Sequence, residues 1–187
     1  MFEPHRQPTP VVRGRRADDL PACATALVAV HEADGYPVEG VAEPEAWLTP
    51  ENLLRAWVAE LAGEVVGHVC LTAPPDSDPV AATVRAHTGT GAAGLVVLGR
   101  LFVLPEARRH RAGELLTRTA TDHAAVAGRR PVLEVMDKDG AAIRLYERLG
   151  WRRIATTGHD SDHGRVPAHH YIEPSTSDQW TIRKKDH

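Results

Sequence analysis

The sequence predicts an α/β (α+β) fold: a mixed, twisted sheet of about six to seven strands with about four helices on both faces. Three observations predict it. Apolar positions switch along the chain between alternating and helical spacing. A strand–helix–strand–helix unit runs from Leu95 to Gly150, and a strand pair joined through a helix is parallel and right-handed. The 187 residues are 42% hydrophobic and 25% charged, which suffices for one buried core without disulfide or metal staples.

The elements follow in order. Residues 1–9 read as a loose leader, 10–173 as one domain and 174–187 as a polar tail. Val11–Gly14 suggests a short strand. Asp18 and Asp19 before Leu20-Pro21 form a helix start, and Leu20, Cys23, Ala24, Leu27 and His31 share a face until Asp34-Gly35-Tyr36-Pro37 stops the helix. A connector over 36–50 carries a helical turn near Pro44–Leu48. Arg55–Leu61 and Glu64–Leu71 form a hairpin around Ala62-Gly63. Residues 74–93, rich in Pro, Gly, Ala, Asp and Thr, read as an exposed insertion. Leu95–Val103 is an apolar strand whose Gly99 marks a bulge. Ala112, Leu116, Ala120, Ala124 and Ala127 define a helix ended by Gly128. Pro131–Met136 is a short buried strand, and Asp139 opens a helix presenting Ala142, Leu145, Tyr146 and Leu149. Trp151–Thr157 and Ala168–Glu173 are the last strands, joined by a loop rich in Gly, Asp and His.

The net charge of −3 and an aromatic content of 5% argue against a nucleic-acid module. The N-terminus lacks an apolar signal core, and no apolar run is long enough to span a membrane, so a cytoplasmic protein is expected. Cys23 and Cys70 belong to no metal-ligand or redox spacing and read as small buried hydrophobes.

The stretch Leu101–Leu116 is the most informative. A strand ending at Pro105 is followed by Arg108, Arg109, His110 and Arg111 at a helix start. Free N–H groups and the helix dipole favour an anion there. Four basic residues are unfavourable in that turn unless an anion compensates them; a basic surface turn without a ligand is the alternative. Gly113 lets a ligand or backbone approach closely.

This stretch resembles motif A of the GCN5-related N-acetyltransferase (GNAT) superfamily, Arg/Gln-x-x-Gly-x-Gly/Ala after a Val-x-Pro-like turn. Arg108 matches its first position and Gly113 its last; Arg111 replaces the middle glycine. A left-handed backbone there would cost a non-glycine residue about 1–2 kcal/mol. The expectation is an ordinary backbone that keeps its N–H and adds a charge. Downstream, Leu133-Glu134-Val135 and Ala142-Ile143-Arg144-Leu145-Tyr146-Glu147-Arg148-Leu149-Gly150-Trp151 resemble motif B. Both motifs occur in order, and the resemblance covers roughly residues 10–173.

The resemblance implies acetyl-CoA as co-substrate, with Leu101, Phe102, Val103, Arg108, Arg109, His110, Arg111, Ala112, Gly113, Glu114, Asp139, Ala142 and Tyr146 at the cofactor. Asp139 stands where Asn is usual and would serve equally as a helix N-cap. Tyr146 is the implied general acid for the leaving thiolate, although it also falls on an apolar helix face. Glu134 is the implied general base; a cleft would hydrate it and raise its pKa. Its alternative is an edge carboxylate or a partner for Arg100. The Leu101–Val103 backbone is the implied oxyanion donor.

His159, His163, His169 and His170 cluster near Asp160 and Asp162, but Gly158, Gly164 and Pro167 argue for a loop, and no metal is expected. The resemblance implies an acceptor between His31–Trp47 and Thr157–Tyr171, where Glu32, Asp34, Glu39 and Asp160 would suit a cationic amine; ordinary surface loop residues are the equal alternative. The leading function is acetyl transfer to a small-molecule amine. The alternatives are a protein or peptide amine, or a non-catalytic CoA-binding sensor. No nucleic-acid or membrane partner is expected, and a homodimer is left open.

Overall fold

A computed structural model of the chain describes residues 9–89, 91–161 and 164–174. The leader and tail lie outside these residues, save 9 and 174, as do Asp162 and His163. One seven-stranded sheet organises the rest, in the order β1-β2-β3-β4-β5-β7-β6. The strands are β1 (Val11–Gly14), β2 (Leu53–Leu61), β3 (Glu64–Thr72), β4 (Leu95–Val103), β5 (Arg130–Met136), β6 (Arg152–Ser161) and β7 (Gly164–Ile172). The helices are α1 (Leu20–Asp34), α2 (Pro44–Leu48), α3 (Pro79–Thr88), α4 (Ala112–Val126) and α5 (Gly140–Arg148). The expected α/β class, strand number and parallel strand–helix–strand unit are all present.

Local chemistry explains most boundaries. Gly35 takes a left-handed backbone (φ 66°) and closes α1 onto the His31 carbonyl. Ala62 and Gly63 both have positive φ, the twist a two-residue hairpin demands. Cys23 and Cys70 are free and buried, as expected of packing thiols.

Two expectations are corrected. Residues 74–93 are not simply an exposed insertion, because they contain α3. The Asp78 carboxylate caps it, accepting from the Ala81 N–H at 2.8 Å, with Pro79 in the first turn and Gly89 left-handed after it. Val80, Ala81 and Val84 bury one face with Leu95, Val132 and Ile172. Nor are residues 158–161 and 164–167 a loop: β6 and β7 pair from Arg152↔Ile172 to Ser161↔Gly164. Gly158 reads as a loop residue, yet it lies within β6 opposite Pro167, with the exposed Arg165 side chain lying across it.

All neighbouring strands pair antiparallel except β4 and β5. Those two are parallel and share only Leu95↔Arg130, Val96↔Pro131 and Val97↔Val132. Both strands continue, β4 to Val103 and β5 to Met136, so the sheet splits along this seam. Leu133, Val135 and Tyr171 join the main core with Leu116 and Ala120 of α4. Val132 and Ile172 face α3, so strand alternation turns Glu134 to that same face.

Candidate active site

The split is a cavity of about 590 Å³. Leu98–Val103 of β4 form one wall, and Glu134, Val135 and Met136 of β5 the other. The cavity runs from the turn before α4 to the connector after α1. Of the expected cofactor residues, Leu101, Phe102, Val103, Arg108, Arg111, Gly113, Glu114, Asp139, Ala142 and Tyr146 line it. Ala112 is instead fully buried in the core, and Arg109 and His110 sit on the neighbouring 3-10 turn away from the wall.

The basic residues do not open a helix directly. Pro105–His110 form a 3-10 turn, Arg111 turns the chain, and α4 begins at Ala112. Arg111 has φ 62° and ψ 16°, so the ordinary backbone expected there is overturned. Its side chain straps the strained residue down: the guanidinium donates to Glu114 at 2.9 and 3.3 Å. Arg118 bonds the same carboxylate at 3.1 Å. Arg108 pairs with Asp34 at the end of α1 and donates from Nε to the Val103 carbonyl at 3.1 Å. The first-turn amides of α4 have no partner within the helix, and a Cβ at Gly113 would already touch Leu145 at 3.4 Å. A left-handed turn feeding free amides into a cleft, with Arg108 beside it, fits a diphosphate.

Asp139 sits at the N-cap position of α5 but makes no capping bond. Its carboxylate accepts from Lys138 Nζ at 2.9 Å, and the same ammonium reaches the Gly35 carbonyl at 3.3 Å. Lys138 thereby ties the start of α5 to the end of α1.

Tyr146 is buried on α5, with its ring 5.5 Å from Trp151 and 6.3 Å from Tyr171. Burial, then the Asp139 charge, pushes its hydroxyl well above the ordinary range, so the phenol stays protonated. Its hydroxyl makes no hydrogen bond among the described residues. Across the cavity, Tyr36 packs edge-on against Trp47 at 5.9 Å. Burial and the neighbouring Tyr146 raise its hydroxyl as well.

Glu134 is neither an edge carboxylate nor the partner of Arg100. Its Oε1 lies 2.8 Å from His159 Nδ1, and its Oε2 lies 3.1 Å from His170 Nε2. Burial pushes the carboxyl up, but the two histidine bonds outweigh it and the net direction is down, opposite to the rise expected of a cleft. His170 is fixed from behind by Thr83 Oγ1 of α3, 3.0 Å from Nδ1. The other His159 nitrogen, Nε2, lies 3.3 Å from Glu39 in the connector. The histidines are thus strand residues. His169 bonds Asp137 at 2.8 Å, outside this chain of contacts. Asp160 stays on the surface near Arg165, and Glu32 lies outside the cavity wall. No group of three His, Cys, Asp or Glu suited to a metal occurs among the described residues.

Several wall residues escaped sequence reasoning as site residues. Tyr36 read only as part of a helix stop and Arg100 only as an alternative partner for Glu134. Lys138 carried no signal, because the contact that matters, to the Gly35 carbonyl after α1, is far away in the chain.

A parallel strand pair splayed around a cavity, with a basic left-handed turn at one end and a carboxylate–histidine chain at the other, suits a group-transfer enzyme that uses a phosphorylated carrier. Comparison with known proteins specifies which. The Acetyltransferase (GNAT) family profile matches residues 21–151; the chain belongs to that family. The Xenopus tropicalis protein named "Probable N-acetyltransferase camello" is 35% identical over 98 residues, which are 52% of this chain and 38% of that protein. The chain therefore spans well under half the length of that relative. Among solved structures, the Escherichia coli ribosomal-protein-S18-alanine N-acetyltransferase superposes with a TM-score of 0.59 at 19% identity, covering 89% of this chain and 94% of that one. Arabidopsis thaliana NAA60 in complex with acetyl-CoA gives 0.66 at 18%, covering 88% and 97%. These structural likenesses establish the fold.

Proposed function

We propose that the protein transfers the acetyl group of acetyl-CoA to the amine of a small molecule. The observation that carries this reading is the placement of Glu134 and Tyr146 on one cavity, with their side chains on opposite faces of the sheet. The diphosphate of the cofactor would lie on the Arg108–Gly113 turn, and acetyl-CoA supplies a thioester carbonyl for attack. Tyr146, kept protonated by its burial, donates a proton to the departing sulfur. Glu134, kept ionised by its histidines, accepts the proton of the incoming ammonium. His159 stands between Glu134 and the half-exposed Glu39, so the proton has a hydrogen-bonded route to solvent. The unpaired β4 edge at Leu101–Val103 offers the oxyanion its donor.

The small-molecule acceptor is favoured because the connector after α1 is tied to the β5 side of the cavity at two places. Glu39 meets His159 behind the wall residue Glu134, and the wall residue Lys138 meets the Gly35 carbonyl. A polypeptide would need an open groove where these contacts stand.

The test is release of CoA thiol with a panel of small amines and short peptides. Tyr146→Phe and Glu134→Gln are each expected to lower kcat by about 10²–10⁴-fold while CoA binding is unchanged. Full turnover in both variants would remove the two roles. Faster turnover of peptides than of every small amine would replace the acceptor class.

A further inference from the structure

Arg100 is held in place at a local cost. The β3–β4 register runs from His68↔Phe102 to Cys70↔Gly99, so Arg100 and Leu101 together oppose the single residue Val69, and the strand bulges. Gly99 predicts the bulge, but the left-handed residue is Arg100, at φ 54°. A non-glycine residue there costs about 1–2 kcal/mol, strain that persists only where its surroundings enforce it.

Those surroundings are specific. His68, fully buried, lies with Nδ1 3.0 Å from the Arg100 carbonyl. Arg15 donates to His68 Nε2 at 3.0 Å, which leaves the proton on Nδ1 for that carbonyl. Burial pushes the imidazole down to about 3, so this arrangement does not titrate near neutrality. The Arg100 side chain donates from Nε to the Trp47 carbonyl at 2.6 Å and lies 5.0 Å from the Trp47 ring centroid.

The result is a half-buried guanidinium on the cavity wall with no carboxylate partner among the described residues. The other cations of that wall differ. Arg108 has Asp34, Arg111 has Glu114 and Lys138 has Asp139, while Arg148 is exposed to water. A guanidinium fixed against an aromatic face presents a planar fork matched to a carboxylate. Arg100 also lies on the acceptor side. Its anchor Trp47 packs on Tyr36, and the connector that carries Tyr36 also carries Glu39, which reaches the His159–Glu134 pair. The cofactor turn begins beyond the end of β4. One wall of the acceptor end thus offers a cation, and the facing wall an anion.

We propose that Arg100 binds a carboxylate of the acceptor, so that the acceptor is an amino acid or a similar amine-bearing acid, its carboxylate on Arg100 and its ammonium towards Glu134. The proposal rests on the acetyl-transfer reading, and the experiment keeps the two apart.

The probes are the twenty common L-amino acids and their carboxamides, which share amine and side chain and differ only in the carboxylate. CoA thiol release is measured with acetyl-CoA. The best amino acid is expected to exceed its amide in kcat/KM by at least ~100-fold. In Arg100→Gly, which also relieves the backbone, that preference falls to within about threefold through KM rather than kcat. Arg100→Lys restores part of it. Thermal unfolding of each variant confirms folding. Amides or peptides that match or outdo the amino acids overturn the proposal and leave acetyl transfer standing. Independently of turnover, N-acetyl-L-amino acids are titrated calorimetrically into the protein with CoA present. Binding that is lost in Arg100→Gly supports the carboxylate site even if no amine is acetylated, and then it is the transfer reading that fails. Binding that survives Arg100→Gly, or no binding together with no turnover of any amino acid, overturns the proposal.

Discussion

Arg111 allows a test in which the sign of the effect decides. In its left-handed backbone, a side chain costs about 1–2 kcal/mol relative to glycine. Arg111→Ala keeps that strain and loses the strap to Glu114, one helical turn away. Arg111→Gly loses the same strap and relieves the strain, but widens the unfolded ensemble by about 0.5–1 kcal/mol. The glycine variant is therefore expected to be more stable than the alanine variant by about 0.5–1 kcal/mol. For a chain of 187 residues that is about 1–4 °C in Tm. Urea and thermal unfolding of the two variants under identical conditions measure it. Calorimetry should show that Arg111→Gly still binds CoA, because the turn offers backbone amides. If Arg111→Ala proves the more stable, the residue has an ordinary helical backbone, and the account of the turn fails.

Three further outcomes are expected. A Cβ at Gly67 would stand 2.9 Å from the Phe102 carbonyl and 3.1 Å from Leu116, so Gly67→Ala should lower stability by about 1–3 kcal/mol and weaken CoA binding by shifting the end of β4; unchanged values of both would refute the close packing. Asp34→Asn releases Arg108 from an exposed pair and should tighten CoA binding up to about fivefold; weaker binding would mean that Asp34 helps to hold the cofactor instead. His68 is pushed down to about 3 by burial. The unfolded chain takes up that proton below pH ~6.5 and the folded chain only near 3, so stability falls as pH drops through this window. Denaturant midpoints of His68→Gln should lose that component of the pH slope, and an identical slope would refute it.

Most of the sheet is legible in the sequence because its signals are local. Alternating apolar runs, the Ala62-Gly63 turn and the glycines at 35 and 128 each act within a few residues. The helix α3 was equally available, in Asp78-Pro79, Val80, Ala81, Val84 and Gly89, but the surrounding Pro, Gly and Thr masked it. The basic turn before α4 is legible for the same local reason, since its strand, basic run and glycine are contiguous. The partners of Glu134 are not. His159 and His170 reach it only because β7 lies between β5 and β6, and sequence spacing does not encode that pairing. Likewise Gly99 marks the bulge, but the residue that bears its strain depends on His68 and Trp47, far away in the chain.

The strand order also constrains how the chain matures on the ribosome. Among the described residues, the strand made last is β7, which occupies an interior place between β5 and β6. At about 5–20 residues per second, the first four strands can zip as neighbours while the rest is still being translated. A nascent chain that stops before Gly164 leaves β5 and β6 without their shared neighbour and Glu134 without His170. The Glu134 side of the cleft is thus assembled in a late step, and until then an unsatisfied strand edge is open to chaperones or to other chains.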